Sequence, residues 1–292
     1  MNSTSSSSTT PGAAKGLSGV NGIRLPPLRK VWSEAVVKLG DPRAKMNAGA
    51  ALVYEDPVLA IELLRTACSV LYSADKPPVT TIKGAIERLG ATVTLATFED
   101  YLKTTPEISD PGISKWVEFF RSRCVRAGKV ARVLAEILAS SLVDDCQLAG
   151  ELMYIGDILA VLHFGKTYVE MADANNRTKV LYRLEKDHQF SVDTVGVNYL
   201  RKYGIPEIVL FALDEKATVK APTRVIMKPI LSAASELVVA FDDQKWEKYA
   251  PGTALPVKSA LRILKITDLQ YVNIYERSGA ILLPLKTKTA AK

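Results

Sequence analysis

The sequence predicts an all-α fold, because apolar residues recur at helical spacing and helix-end signals flank the apolar runs. Asp56 is a good helix N-cap, and Gly90 is a natural residue to follow a helix C-terminus. The strongest periodicity lies between residues 120 and 138. Six apolar residues there are separated by steps of three and four, which places them on one helical face: Phe120, Cys124, Ala127, Ala131, Leu134 and Leu138.

The segment 55–90 predicts two helices joined by a turn that contains proline. Asp56 caps the first helix, and Pro57 occupies its first position, where the missing N–H does no harm. This helix must end before Pro77, because the residue before a proline avoids the helical region. Its apolar residues at helical spacing are Leu59, Leu63 and Ala67.

The second helix of this segment is capped by Thr80 or Thr81 and ends at Gly90. Residues 91–98 then alternate enough between apolar and polar types to suggest a strand. Helix and strand are both open for this stretch on the pattern alone. The apolar face of the second helix consists of Ile82, Ala85, Ile86 and Leu89.

Further helices follow from the same criteria. Prolines and Gly112 between Lys103 and Ser114 mark a connection between two lobes. A break is expected at Gly204-Ile205-Pro206, and one or two helices are expected shortly before Gly279. The other helical stretches are predicted at residues 28–39, 43–54, 144–172, 178–216 and 229–242.

Length and composition are ordinary for a globular protein. The 292 residues, of which 48% are hydrophobic and 24% charged, suffice to bury a large core. No apolar run approaches the roughly 20 residues that span a bilayer, and the N-terminus lacks the pattern of a secretory signal. Cys68, Cys124 and Cys146 are scattered, which argues against a disulfide framework or a zinc site and favours a reducing cytoplasm.

The formal charge of +7 is concentrated near the chain ends. Residues 1–21 are rich in Ser and Thr and predict a disordered tail, and residues 284–292 predict a basic tail. Removing the four lysines of these tails from the 38 basic residues leaves 34 against 31 acidic residues, or +3. The charge is therefore weak support for a nucleic-acid groove. These lysines are Lys15, Lys286, Lys288 and Lys292.

Six short motifs stand in order along the N-terminal part of the chain: Leu25-Pro26-Pro27-Leu28, Asp56-Pro57, Leu63-Leu64-Arg65, Cys68-Ser69, Ala85-Ile86 and Leu89-Gly90. Together they resemble the HDOD family, a regulatory relative of the HD-type metal-dependent phosphohydrolases. Cys68 departs from the pattern, because Asn is usual there. The resemblance covers roughly residues 22–217.

The resemblance implies a multi-helical HDOD-like fold. It has an N-terminal lobe, to about residue 107, packed on a degenerate HD-like lobe that continues to residue 217. Residues 218–283 look like the C-terminal extension often found after such domains. The resemblance also implies that residues 91–98 continue a helix, and we adopt helix for them.

The same resemblance locates the metal-ligand positions of active hydrolases, and other residues occupy them here. The adjacent His and Asp of those enzymes match Met153 and Tyr154, and a further ligand position matches Val192. A thioether is a poor ligand for hard divalent ions, and a neutral phenol does not replace a carboxylate. We therefore expect no catalytic residue, no metal and no cofactor.

Two alternatives come from the residues themselves. A phosphohydrolase could use His163 and His188 with nearby acids, although both are also consistent with packed or hydrogen-bonded side chains. Four basic residues opposite the apolar stripe form either a solvated face or a surface for nucleotides, nucleic acid or a partner: Arg121, Arg126, Lys129 and Arg132.

The resemblance implies a non-enzymatic regulatory role in bacterial signal transduction. The chain would act through a signalling partner, or through a ligand in the vestigial pocket of the HD-like lobe. Nucleic acid and membrane are the less favoured partners on composition and charge.

Overall fold

Helices account for the regular secondary structure of the residues that the structure describes. The computed structural model describes residues 19–283 apart from 21, 41–45, 74, 75, 78, 215 and 218–223. Within these ranges there are α-helices and short 3-10 helices, and no strand. The predicted all-α class is confirmed.

The described part of the N-terminal lobe is built around a buried helix that starts where the sequence predicts. The Asp56 carboxylate accepts a hydrogen bond from the backbone N–H of Val58 at 3.2 Å and so caps this helix. Thr81 caps a later helix, with its hydroxyl accepting from the N–H of Gly84 at 3.1 Å. The helices are α1 (Arg29–Gly40), α2 (Met46–Val53), α3 (Pro57–Ala67), α4 (Val70–Ser73) and α5 (Ile82–Thr104).

Residues 91–98, for which the sequence pattern allows either a strand or a helix, are helical and belong to α5. Gly90 has φ 72° and ψ 168°, so the chain kinks there and the first part of α5 ends as predicted. Thr94 and Thr97 donate their hydroxyls to the carbonyl oxygens of Gly90 and Val93, both at 2.8 Å. These hydrogen bonds satisfy the hydroxyl groups of two β-branched residues inside a helix. An alternation of apolar and polar residues that is typical of a strand is therefore compatible with a helix here.

One long helix, α6 (Pro111–Leu138), begins after the predicted connection and is the longest described helix of the HD-like lobe. Asp110 caps it by accepting from the N–H groups of Gly112 and Ile113 at 2.8 and 3.1 Å. Of the six residues in the predicted apolar stripe, five are buried and Leu138 is half-buried. The stripe is therefore the packing face of α6.

The rest of the HD-like lobe consists of shorter helices in the two stretches where helices are predicted. Met153 and Tyr154 separate the first two of them. The expected break at Gly204 is present, and its φ of 76° is one that glycine adopts easily. The helices are α7 (Val143–Leu152), α8 (Ile155–Phe164), α9 (Lys166–Ala174), α10 (Arg177–His188), α11 (Val192–Lys202) and α12 (Glu207–Leu210).

The C-terminal extension packs on α6 through ion pairs. Asp242 accepts from Nε of Arg123 at 2.8 Å and from Nη1 of Arg126 at 2.6 Å. Arg277 donates to Glu136 in a second contact of the extension with α6. These contacts fix the extension to the HD-like lobe. Its α-helices among the described residues are α13 (Met227–Asp242) and α14 (Asp268–Leu282).

The N-terminal tail predicted for residues 1–21 extends too far along the chain, because it includes Val20. Residues 1–18 and 284–292, which contain most of the two predicted tails, lie outside the described residues. Val20 is fully buried, and its carbonyl oxygen accepts from the N–H of Ile23 at 3.0 Å. An apolar side chain that can reach the core gains by leaving water, so the ordered chain already includes Val20.

No helix in the described ranges is, taken singly, long and apolar enough to cross a membrane. The pair Ser140–Phe164 and Lys166–Ala174 meets the criterion of length and composition only when taken together, and the two are bent by 119°.

The buried Asp56 carboxylate joins several parts of the chain. Its Oδ2 accepts from the backbone N–H of Leu28 and from Nε1 of Trp32, both at 2.8 Å. Its Oδ1 lies 3.2 Å from Nε of Arg121, whose guanidinium also donates to the carbonyl oxygen of Pro26. Asp56 is 0% exposed and Arg121 5% exposed. Because Arg121 belongs to α6, this ion pair connects the two lobes.

We predict that Asp56→Asn lowers the free energy of unfolding by about 3–5 kcal/mol, as measured by urea denaturation. The amide oxygen can still cap α3, but the amide NH2 then replaces Oδ2 and cannot accept from Leu28 or Trp32. The amide also cannot neutralise Arg121, which would remain buried with an unpaired charge.

Asp110→Asn is the matched control, because Asp110 caps α6 in the same manner as Asp56 caps α3. Asparagine caps about as well as aspartate, so we expect the control to change the unfolding free energy by less than about 0.5 kcal/mol. Equal losses in the two variants would show that capping, and not the Arg121 ion pair, accounts for the effect.

Candidate functional site

A pocket of about 370 Å³ lies between the HD-like lobe and the C-terminal extension. The junction of α7 and α8 contributes Met153 and Tyr154, and α13 contributes Ser232 and Ser235. Helix α11 forms a third wall. The pocket therefore lies at the positions that the resemblance assigns to the adjacent metal ligands of active hydrolases.

Tyr154 is held in place by contacts on several sides. It is 2% exposed, and its hydroxyl lies 2.7 Å from Oγ of Ser235. The guanidinium carbons of Arg123 and Arg177 each lie 5.4 Å from the centre of its ring, within cation–π range. Burial raises the pKa of the Tyr154 phenol, and the hydrogen bond to Ser235 offsets this only in part. The phenol is therefore neutral at physiological pH.

Two glycines that line this pocket bring α8 and α11 into close backbone contact. A Cβ on Gly156 would lie 2.1 Å from the carbonyl oxygen of Val192, and one on Gly196 would lie 2.8 Å from N of Gly156. Val192 is 4% exposed and packs in the core. Its neighbour Asp193, in the first turn of α11, lines the pocket. The ligand position matched to Val192 is thus occupied by a core side chain.

Asp157 follows the dyad positions and is fully engaged by Arg177. It is 1% exposed, and it accepts from Nε and Nη2 of Arg177 at 2.9 Å each. Burial alone would lower the pKa of the Arg177 guanidinium, but the Asp157 carboxylate raises it overall. A bidentate pair of this kind fixes both side chains and directs both carboxylate oxygens of Asp157 at Arg177.

Lys228, on α13, lines the pocket and contacts the segment that follows α12. Its Nζ donates to the carbonyl oxygens of Asp214 and Ala217, both at 2.8 Å. The ammonium group therefore serves to hold this loop against the C-terminal extension.

The donor set at the pocket does not fit a divalent metal ion. Met153 offers a thioether, the Tyr154 hydroxyl is bonded to Ser235, Asp157 is bonded to Arg177, and Asp193 supplies a single carboxylate. Hard cations prefer carboxylate, imidazole and water ligands. In the part of the chain that the structure describes, no group of three or more His, Cys, Asp or Glu residues is arranged to hold a metal.

His163 and His188 lie outside this pocket. The centre of the Phe164 ring is 4.7 Å from the ring centre of His163 and 4.8 Å from that of His188. His163 also stacks on Phe190 at 5.7 Å, and His188 is the last residue of α10. Folding brings the two histidines to the same phenylalanine, and neither of them lines the pocket.

The four basic residues of α6 do not form a free cationic surface. The expectation that all four lie on a solvated side is wrong for Arg121, because the N-terminal lobe covers α6 there and supplies a buried carboxylate. Each of the four contacts an acidic side chain: Arg121 with Asp56, Arg126 with Asp242, Lys129 with Glu55, and Arg132 with Glu136.

The sequence reasoning missed most of the polar residues around the pocket. Asp157 stands directly after Gly156 and could have been identified as an acid beside the dyad positions. Arg177, Lys228 and Ser235 carry no local motif, because they reach the pocket only when distant helices pack together.

Comparison with family models agrees with this architecture. The model of the HDOD domain matches residues 25–218. The chain belongs to the HDOD family. The match includes both lobes of the HDOD domain and leaves out α13, so one wall of the pocket comes from outside that domain.

Solved structures with a similar fold include the MmoQ response regulator from Methylococcus capsulatus and a virulence factor from Campylobacter jejuni. For a MmoQ fragment the TM-score is 0.63 at 14% identity, covering 85% of this chain and 94% of that chain. For the virulence factor the TM-score is 0.61 at 17% identity, covering 95% and 96%. These similarities show a shared HDOD fold. No curated protein matches the chain.

Glu151 of the HDOD domain is a buried carboxyl group on the side of α7 that faces α6. It is 0% exposed, and a Cβ on Gly128 of α6 would lie 2.4 Å from its Cγ. Its Oε1 accepts from Nε2 of Gln147 at 3.4 Å, while Oε2 has no hydrogen-bond partner among the described residues. Burial raises the pKa of Glu151 well above its usual value, and the Gln147 contact offsets this only in part.

We predict that the unfolding free energy of the Glu151→Gln variant, measured relative to that of the wild type, increases as the pH rises. The unfolded chain releases this proton near pH 4.5, whereas the folded protein retains it to higher pH. The contribution of this bound proton to the free energy of unfolding is present in full below pH 4.5. It is lost as the pH rises towards the pKa that Glu151 has in the folded protein. Urea denaturation should show the difference growing by up to about 1.4 kcal/mol per pH unit within this window.

Glu170→Gln provides the control, because Glu170 is exposed and the substitution is chemically the same. Its effect on the unfolding free energy should not change with pH over the same range. If the effect of Glu151→Gln on the unfolding free energy were the same at every pH, the pKa of Glu151 would not differ between the folded and unfolded states, contrary to the prediction.

Proposed function

We propose that this HDOD protein is a non-enzymatic signalling protein that acts by binding a partner protein or a small ligand. The observation that carries the proposal is the hydrogen bond of the buried Tyr154, at a dyad position, to Ser235 of α13. Asp157 is engaged by Arg177, and Asp193 alone is too small a ligand set for a metal that would lower the pKa of its bound water, which supports the proposal.

The comparisons support this class of role. The chain has the HDOD fold, and a protein with a similar structure is named as a response regulator. Extending signal transduction to this chain is part of the proposal. A bacterial cytoplasm is the setting that we propose with it, since the three cysteines are unpaired.

A metal-dependent phosphohydrolase is the alternative from the enzyme class, and the contacts of its candidate ligands weigh against it. His163 and His188 pack on Phe164 and are not joined by acids in a metal-binding group within the described residues. Nucleic-acid binding through α6 is disfavoured for a different reason. A phosphate backbone would have to displace carboxylates that already pair with the basic side chains.

We predict that the protein, purified without chelator, shows no divalent-metal-dependent hydrolysis of nucleotides or cyclic dinucleotides. The measurement is product formation by chromatography in the presence of Mg²⁺, Mn²⁺ or Fe²⁺, together with elemental analysis of the protein. An active HD-type phosphohydrolase assayed alongside serves as the positive control.

Two results would contradict the proposal. One is a transition metal bound in stoichiometric amount. The other is metal-dependent turnover that is abolished by His163→Ala or His188→Ala, which would restore the enzymatic alternative.

A further inference from the structure

We propose that the pocket beside Tyr154 binds an uncharged, partly apolar small molecule that carries a hydrogen-bonding group. This inference rests on the proposed function, because it assigns a ligand class to the same pocket. It goes further by stating that phosphorylated ligands, which the hydrolase relatives process, are not the ligands of this chain.

The first support is the state of the positive charges at the pocket. Arg177 makes two hydrogen bonds of 2.9 Å to Asp157, and the charge of Asp193 also acts on its guanidinium. Lys228 donates to two backbone carbonyl oxygens at 2.8 Å. Both cationic groups are thus committed to protein acceptors, and an anionic ligand would have to compete with them.

The second support is the balance of charge. Among the described residues that line the pocket, Arg177 and Lys228 are cations and Asp193 is an anion, and Asp157 beside Arg177 adds a second negative charge. Asp193 is exposed and lies at the pocket itself. A phosphate or carboxylate would lose its hydration there, while the two cations that line the pocket among the described residues are already bonded to protein acceptors.

The third support is the chemistry of the remaining surface. Two hydroxyl groups, those of Ser232 and Ser235, offer neutral hydrogen bonds. The volume of about 370 Å³ falls within the range of small-molecule pockets. Much of the rest is apolar and suits a hydrocarbon body: Leu152, Val197, Leu200, Leu213 and Leu231.

A matched pair of probes tests the ligand class directly. Cinnamamide and cinnamate share one apolar body and differ in carrying a neutral amide or an ionised carboxylate at neutral pH. Saturation-transfer NMR of each probe with the full chain, titrated over concentration, gives the two affinities. We expect saturable binding of cinnamamide and at least about tenfold weaker binding of cinnamate.

Variants at exposed serines locate the binding. Ser232→Trp places a large ring in the pocket and should abolish cinnamamide binding, whereas Ser232→Ala keeps the space but removes one of the two hydroxyl groups, and should weaken binding without abolishing it. Ser122→Trp, at an exposed serine of α6 that does not line the pocket, is the matched control and should bind as the wild type does. Circular dichroism and thermal melting establish that each variant is folded.

Three outcomes overturn the inference: no saturable binding of cinnamamide, equal or tighter binding of cinnamate, and undiminished binding in folded Ser232→Trp. None of these would touch the non-enzymatic role, which is tested by metal content and turnover. Conversely, metal-dependent turnover would overturn the proposed function whatever the probes do.

Discussion

Asp56 is the residue on which the arrangement of the two lobes depends. A buried carboxylate must be satisfied on every side, and this one accepts from the segment before α1, from Trp32 and from the start of α3. Its charge is balanced by Arg121 of α6. Because an unpaired charge cannot stay buried at that depth, the carboxylate constrains both lobes at once.

With α6 positioned in this way, its other side chains organise the pocket. Arg123 and Arg126 hold Asp242 and so seat α13, and α13 brings Ser235 to Tyr154. Tyr154, at one of the positions that the resemblance matches to metal ligands, therefore joins the HD-like lobe to the C-terminal extension.

The sequence predicts those features that depend on neighbours along the chain. The cap at Asp56, the stop at Gly90 and the apolar stripe of α6 are all local signals, and the structure contains them. The pairing of Tyr154 with Ser235 spans 81 residues and has no local sign. Periodicity assigns Arg121 to the polar side of α6, because helical spacing cannot indicate that a distant carboxylate neutralises a buried guanidinium.

A double-mutant cycle on Asp56 and Arg121 tests most directly whether one buried ion pair holds the two lobes together. Unfolding free energies are measured for Asp56→Asn, for Arg121→Met and for the combined variant. A true pair predicts that the double variant is less destabilised than the two single losses together, with a coupling of at least about 2 kcal/mol. Losses that add within about 0.5 kcal/mol would contradict it.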